Sequence, residues 1–256
     1  MNLVFASGFL IPQRFLGQDY FRGARAAFPG ACFPRVPVLG SIDARARALA
    51  REIAGFAFAD SGERIHVIAH SMGGLDARCV LHRNMSGLAS RVASLSTIAT
   101  PHRGSPIADL LVGPAPGMLD LRRVVYGALS RALAAAFGLH TEALGHLTTA
   151  YARQFNESHP DIGDIPCYCY AGKGAEAYPL RATSAYIRNA GRIREEREND
   201  GLVSVASASW RPLAEPPWSA DHLGEVGHSL TPPSFAAAFP HLEALRRIVG
   251  RATGAA

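Results

Sequence analysis

A chain of 256 residues, 48% hydrophobic and 18% charged, has enough apolar surface for one sizeable core, which excludes a disordered polymer. Its formal charge of +5 does not imply a nucleic-acid partner, because the sole lysine is Lys173 and the arginines are scattered along helix-like segments as a solvated basic surface. Four cysteines without CxxC or Cys/His spacing exclude a disulfide scaffold and read as buried free thiols, so neither a metal nor a cofactor is implied.

The N-terminus enters an apolar strand at once, LVFA (3–6), with no basic leader region before it. That leads to the expectation of a cytoplasmic chain, or of one supplied after removal of a leader. No uninterrupted apolar run approaches the roughly 18 residues of a membrane span. DYFRGARAAF (19–28) predicts a helix or helical turn. SIDARARALAREIAGFAF (41–58) predicts a strong helix, capped by Ser41, with Ile42, Ala46, Leu49, Ile53 and Phe56 as its apolar stripe. RIHVIAH (64–70) reads as a buried strand, GGLDARCVLHR (73–83) as a helix, and RVASLSTIAT (91–100) as the next strand, stopped by Pro101.

Between Pro101 and Pro166 the pattern turns helical, in APGMLDLRRVVYGALSRALAAAFGLH (115–140) and TEALGHLTTAYARQFNESH (141–159). Helices inserted between neighbouring strands predict a cap over 103–165, with helices merely flanking the sheet as the alternative. The apolar side of the cap would carry Met118, Leu121, Val124, Val125, Leu129, Leu133 and Phe137. Gly113, Pro114, Pro116 and Gly117 would form its hinge. DIPCYCYAG (164–172) reads as a later strand, on which Cys167 and Cys169 face one side. PSFAAAFPHLEALRRIVG (233–250) reads as a C-terminal helix interrupted or kinked near Pro240. Alternating strand and helix patterns predict a single α/β domain over 1–256: a mainly parallel central sheet flanked by helices.

The segment IHVIAHSMGGLDARCVL carries the chemistry. A serine hydroxyl reacts only when a base takes its proton and the backbone presents it clear of its surroundings. Ser71 stands between a strand and a helix with Ala69 two before it and Gly73 two after, the small residues that a sharp strand–turn–helix elbow demands. The usual first glycine is alanine here, the smallest replacement. A serine merely capping the helix is the competing reading. If Ser71 is the nucleophile, acid and base follow in the order Ser, Asp or Glu, His. His66, His70 and His82 come too early; His222 and its rival His228, in WSADHLGEVGH, occupy the loop before the last helix. Asp200, in ENDGLVSVAS, sits in a turn before a strand-like run and is the candidate acid, while Asp221 is too close in sequence to His222 to serve. The N–H of Met72, and that of Phe9 after the close-approach residue Gly8, are the candidate oxyanion donors.

These stretches, with TPHRGSPIAD, LTTAYARQFNESHPD and SGFLIPQRFLGQDYFRG, resemble in order the true lipases of bacteria, the triacylglycerol lipases related to those of Pseudomonas and Burkholderia. The resemblance implies an α/β-hydrolase fold with a mobile helical lid that contacts lipid interfaces, and hydrolysis of water-insoluble acyl esters. It implies Ser71 as nucleophile, Asp200 as acid, His222 as base, and Phe9 and Met72 as oxyanion donors. Three departures stand out. Ser7-Gly8 replaces a His-Gly pair, which loosens that loop's hydrogen bonding. Gly224 replaces the aspartate that would ligate a structural calcium, so no calcium is expected. Ala206 stands where secreted members carry a cysteine. Thioesterase or acyltransferase chemistry on the same machinery, and a non-catalytic lipid-binding scaffold, are the other functions compatible with these residues.

Overall fold

A computed structural model of the chain describes residues 1–9, 11–15, 17–59, 62–112, 142–174, 178–229 and 239–254. Its centre is a four-stranded parallel sheet in the order β1 (Asn2–Ala6), β4 (Ile65–His70), β5 (Val92–Ile98), β6 (Cys167–Tyr170). A two-residue antiparallel pair, β2 (Arg14–Phe15) and β3 (Gln18–Asp19), stands apart from it. The register between β1 and β4 runs from Asn2 opposite Ile65 to Ala6 opposite Ala69, without a break. Parallel strands need long crossovers, and these put helices on both faces. Both faces are therefore apolar, which is why LVFA and IHVIAH read as runs rather than alternations.

The pleat divides those runs between two cores. Val4, Ala6, Val67, Ala69 and Leu95 face the helices α2 (Ile42–Gly55) and α3 (Met72–His82), which supply Ile42, Leu49, Ile53, Leu75 and Val80. Leu3, Phe5, Ile68 and Ile98 point the other way, onto Phe21 and onto Leu245 and Ile248 of the C-terminal helix His241–Thr253. Ser41 caps α2 by accepting the N–H of Ala44 at 3.2 Å. All four cysteines are free thiols, three of them buried.

DYFRGARAAF takes the second of its two expected forms, a single helical turn, α1 (Ala24–Ala27): Gly23, in the left-handed region at φ 74°, starts it, and Gln18–Asp19 are spent in the small ladder. One expectation about local structure needs correction. VSVAS does not extend: Ser204 accepts the N–H of Ser207 and caps the helical turn Val205–Ala208. Pro240 is the N-cap of the last described helix, where a missing N–H is harmless; residues 230–238, before the interruption or kink expected near Pro240, lie outside the described residues.

The described ends of the segment 103–165, where a cap is expected, pack onto the body of the molecule. Ile107, Ala108 and Leu110 of α4 (Pro106–Val112) are buried. After the gap, Ala143, Leu144, Leu147, Phe155 and Ile162 join the core over α3. Asp109 ties the two ends together, accepting from the N–H and the hydroxyl of Thr149 at 2.8 Å each. The proposed hinge and apolar side, 113–141, lie outside the described residues. No helix among the described residues is long and apolar enough to cross a membrane.

Candidate active site

Ser71 links the C-terminal end of β4 to the first turn of α3 in a conformation that L residues rarely adopt, φ 56° and ψ −133°. Such a residue stores on the order of 1–3 kcal/mol, held here by the elements on either side. Its own N–H donates to Ile98 O of β5 at 2.9 Å. The tightness of the elbow accounts for the glycines after it. A Cβ at Gly73 would come within 2.7 Å of the Ala6 and Ser7 carbonyl oxygens, and one at Gly74 within 2.1 Å of Thr100 Oγ1.

The structure brings the three sequence candidates together. His222 Nε2 lies 3.0 Å from Ser71 Oγ, and His222 Nδ1 lies 2.7 Å from Asp200 Oδ2. Asp200 is fully buried, and its second oxygen accepts the N–H groups of Leu202 and Val203 at 2.8 and 2.7 Å. Those bonds aim the carboxylate, and the Asp200 carbonyl also accepts the His222 N–H at 3.0 Å, fixing the histidine loop against the acid loop. Three of the histidines set aside in the sequence are engaged by other groups. His228 Nε2 is engaged by the carbonyls of Asp19 and Tyr20, His66 by Ser94, and His82 by the Asp161 carbonyl. Asp221 caps its own turn, accepting from Leu223 and Gly224.

The loop after β1 runs beside the serine, close enough that a Cβ at Gly8 would sit 2.7 Å from Ser71 Cβ. Phe9 follows it, half-buried against the main core. Met72, fully buried, opens α3, where first-turn N–H groups have no intrahelical acceptor. The loss of the His-Gly pair does not leave the loop untied. Arg45, itself fully buried on α2, donates to the carbonyls of Ser7 at 2.8 Å, Gly8 at 3.1 Å and Pro37 at 2.6 Å. Its Nε donates to Asp76 Oδ2 on α3 at 2.8 Å. Burial pushes the Asp76 carboxyl up to about 6, against the lowering effect of Arg45. The sequence signal for Arg45 is its position on the apolar stripe of α2, between Ile42 and Ala46.

A second buried chain lies behind the triad: Tyr20 Oη, His70 Nδ1 at 2.7 Å, then His70 Nε2 and Glu225 Oε2 at 3.1 Å. The His70 and His222 rings are 4.6 Å apart. Burial pushes the Glu225 carboxyl well up, reinforced by Asp200 and Asp221, and pushes the His70 imidazole well down, so each is biased toward its neutral form. Nothing in the sequence marks Glu225, which the 3₁₀ turn Gly224–Val226 carries inward. Among the described residues, His70, His222 and Glu225 are the one group whose ligand atoms approach a metal-site spacing, within 4.8 Å. Their atoms are already joined to Tyr20, Asp200, Ser71 and one another, which suits a hydrogen-bonded assembly rather than a cation cage. Beside His222, position 224 has no side chain to offer a cation, and Asp221 Oδ1 accepts the N–H groups of Leu223 and Gly224.

No protein-family model matches the chain. Among curated proteins it is 32% identical to triacylglycerol lipase 2 of Saccharomyces cerevisiae over 200 residues, 75% of this chain and 56% of that protein. The chain thus spans little more than half of the yeast relative's length. It is 27% identical to a triacylglycerol lipase of Pseudomonas fragi, over 84% of each. Among solved structures, a metagenomic carboxyl esterase aligns with a TM-score of 0.71 at 19% identity, over all of this chain and 76% of that one. A lipase of Bacillus licheniformis aligns with a TM-score of 0.66 at 24% identity, over 91% of this chain and 89% of that one.

Proposed function

We propose that this chain, an α/β-hydrolase related to the bacterial triacylglycerol lipases, hydrolyses carboxylic esters, lipid esters in particular, through a covalent acyl-enzyme on Ser71. The observation that carries the reading is the unbroken Asp200–His222–Ser71 hydrogen-bond chain ending on a strained elbow. In the proposed cycle His222 Nε2 takes the Ser71 proton as Oγ attacks the ester carbonyl. Asp200 holds the imidazole with Nδ1–H toward itself and stabilises the imidazolium without taking its proton. The carbonyl oxygen becomes an oxyanion facing the N–H groups of Phe9 and Met72, whose donation is worth more there than in water. Collapse of the tetrahedral intermediate breaks the ester bond, and His222 returns the proton to the departing alcohol. Water then repeats the sequence on the acyl-enzyme and releases the acid. No metal or cofactor enters these steps.

The cap, 103–165, belongs to the same proposal. Its apolar side would cover the serine in water and bind the acyl phase at a lipid surface, so the open state would be favoured by its higher affinity for that surface. The experiment that tests the function is labelling with a fluorophosphonate together with rates on p-nitrophenyl esters of increasing chain length. Stoichiometric labelling and turnover that are both lost in Ser71→Ala, by on the order of 10⁴-fold or more, are the expected result. Unlabelled wild type would leave a non-catalytic scaffold. Labelling with ester turnover slower than thioester turnover would favour a thioesterase.

A further inference from the structure

Next to the acid loop the surface sinks into a concavity of about 460 Å³ that the proposed ester chemistry does not use. Among the described residues its charged lining is Lys173, Arg188, Arg194, Arg197 and Glu198, four cations against one carboxylate. Lys173 is the only lysine in the chain. Three separate segments supply these groups: the turn after β6, the helix Leu180–Ala190 and the helical turn Arg194–Arg197. Glu198 is shared, its Oε1 lying 3.1 Å from Arg194 Nε and 3.7 Å from Lys173 Nζ. Arg188 and Arg197 have no carboxylate partner among the described residues. Arg188 donates to the neutral hydroxyl of Ser184 at 2.7 Å, and Arg197 to the carbonyls of Gly191 at 3.0 Å and Arg192 at 3.5 Å.

Cations gathered in one hollow repel one another, and an arrangement that holds them there gains most when an anion enters. The frame is pinned: Lys173 N donates to Trp218 O at 2.7 Å, Gly174 N to Asn199 O at 3.0 Å, and Asn199 Nδ2 to Arg197 O at 2.7 Å. An ammonium and three guanidinium forks offer more donors than the two oxygens of a carboxylate can accept, whereas a phosphoryl group presents several oxygens in three dimensions. The hollow is far larger than one phosphate, leaving room for what the phosphate is attached to. We propose that the Lys173–Arg188–Arg194–Arg197 pocket binds a phosphoryl group, as a phosphate ester of a small molecule or as the headgroup of a phospholipid. Asn199 belongs to its lining and directly precedes Asp200, so the ligand would rest on the loop that carries the candidate acid.

The test is independent of the hydrolase reading. Calorimetric titration of the protein with inorganic phosphate should saturate at 1:1 in low salt and weaken as salt is added. Arg188→Gln/Arg197→Gln should weaken it by on the order of tenfold or more. Arg51→Gln/Arg153→Gln, which removes the same charge from exposed arginines elsewhere, should leave it unchanged. Circular dichroism and the thermal melt report whether the pocket variant is folded, and Arg188→Gln alone serves if it is not. Sedimentation of the Ser71→Ala protein with phosphatidylcholine vesicles, with and without phosphatidic acid, separates the sources. Retention on phosphatidic acid that the pocket variant loses assigns a headgroup, and phosphate binding without retention assigns a soluble phosphate ester. Absence of both, or equal weakening in the two double variants, would overturn the proposal.

Discussion

Replacing Arg45 by methionine separates two jobs that one buried guanidinium performs. Its removal leaves the Asp76 carboxylate buried without its cation, and Asp76 Oδ1 has no hydrogen-bond partner among the described residues to compensate. Breaking a buried pair from one side costs about 3–5 kcal/mol. In a chain of this size that lowers the melting temperature by on the order of 10 °C. The loss should depend on pH. Even with Arg45 present, the folded-state pKa of Asp76, about 6, lies above its ordinary value of 3.8. A raised acid pKa favours the folded state below the ordinary value, and that advantage is lost as pH rises through the folded value. Without Arg45 the folded value rises further, so the deficit of the variant is small near pH 5 and largest at pH 8. The same substitution releases the Ser7 and Gly8 carbonyls and loosens the loop that aims the Phe9 N–H. Loss of an oxyanion donor costs about 10²–10³ in kcat, so a loosened one is expected to cost on the order of tenfold. Urea denaturation at several pH values and initial rates on p-nitrophenyl butyrate read the two effects. Arg45→Met/Asp76→Leu should restore stability, because a volume-matched apolar pair replaces the ionic one, but should leave kcat low. Recovery of kcat in the double variant, or a wild-type kcat in Arg45→Met, would refute the tether.

Asp200→Asn keeps the shape of the acid but not its charge or its hold on the imidazole tautomer. It should lower kcat by about 10⁴ with KM little changed, and a loss below tenfold would show that another group serves as the acid. Burial raises the folded pKa of Glu225 well above its ordinary value, so the wild type loses stability as pH rises from that ordinary value toward the folded one. Glu225→Gln should therefore match the wild type near pH 5 and equal or exceed it at pH 8 in urea denaturation; lower stability at pH 8 would contradict the upward shift. Chelation with EDTA should change neither the melting temperature nor the rate, since no carboxylate occupies position 224; a loss restored by calcium would reveal a different oxygen cage.

The elements that interact locally were legible in the sequence. The parallel sheet follows from runs apolar on both faces, α2 from its stripe and Ser41 cap, and the elbow from Ala69, Ser71, Gly73 and Gly74, whose small size the backbone itself demands. Ser71, Asp200 and His222, picked out by the order an α/β-hydrolase arrangement requires, stand within hydrogen-bond reach of one another in the fold. What sequence could not decide depends on groups brought together from far apart. Tyr20, His70 and Glu225 meet across separations of 50 and 155 residues, and each alone looks like an ordinary polar residue. VSVAS looked like a strand because its β-branched residues favour one, yet a single serine cap turned it helical. Arg45 was read as part of a solvated basic surface, but the fold buries it and surrounds it with three carbonyls and one carboxylate. Propensity and spacing are properties of a segment. The environment of a charge is a property of the whole molecule, and only the tertiary structure sets it.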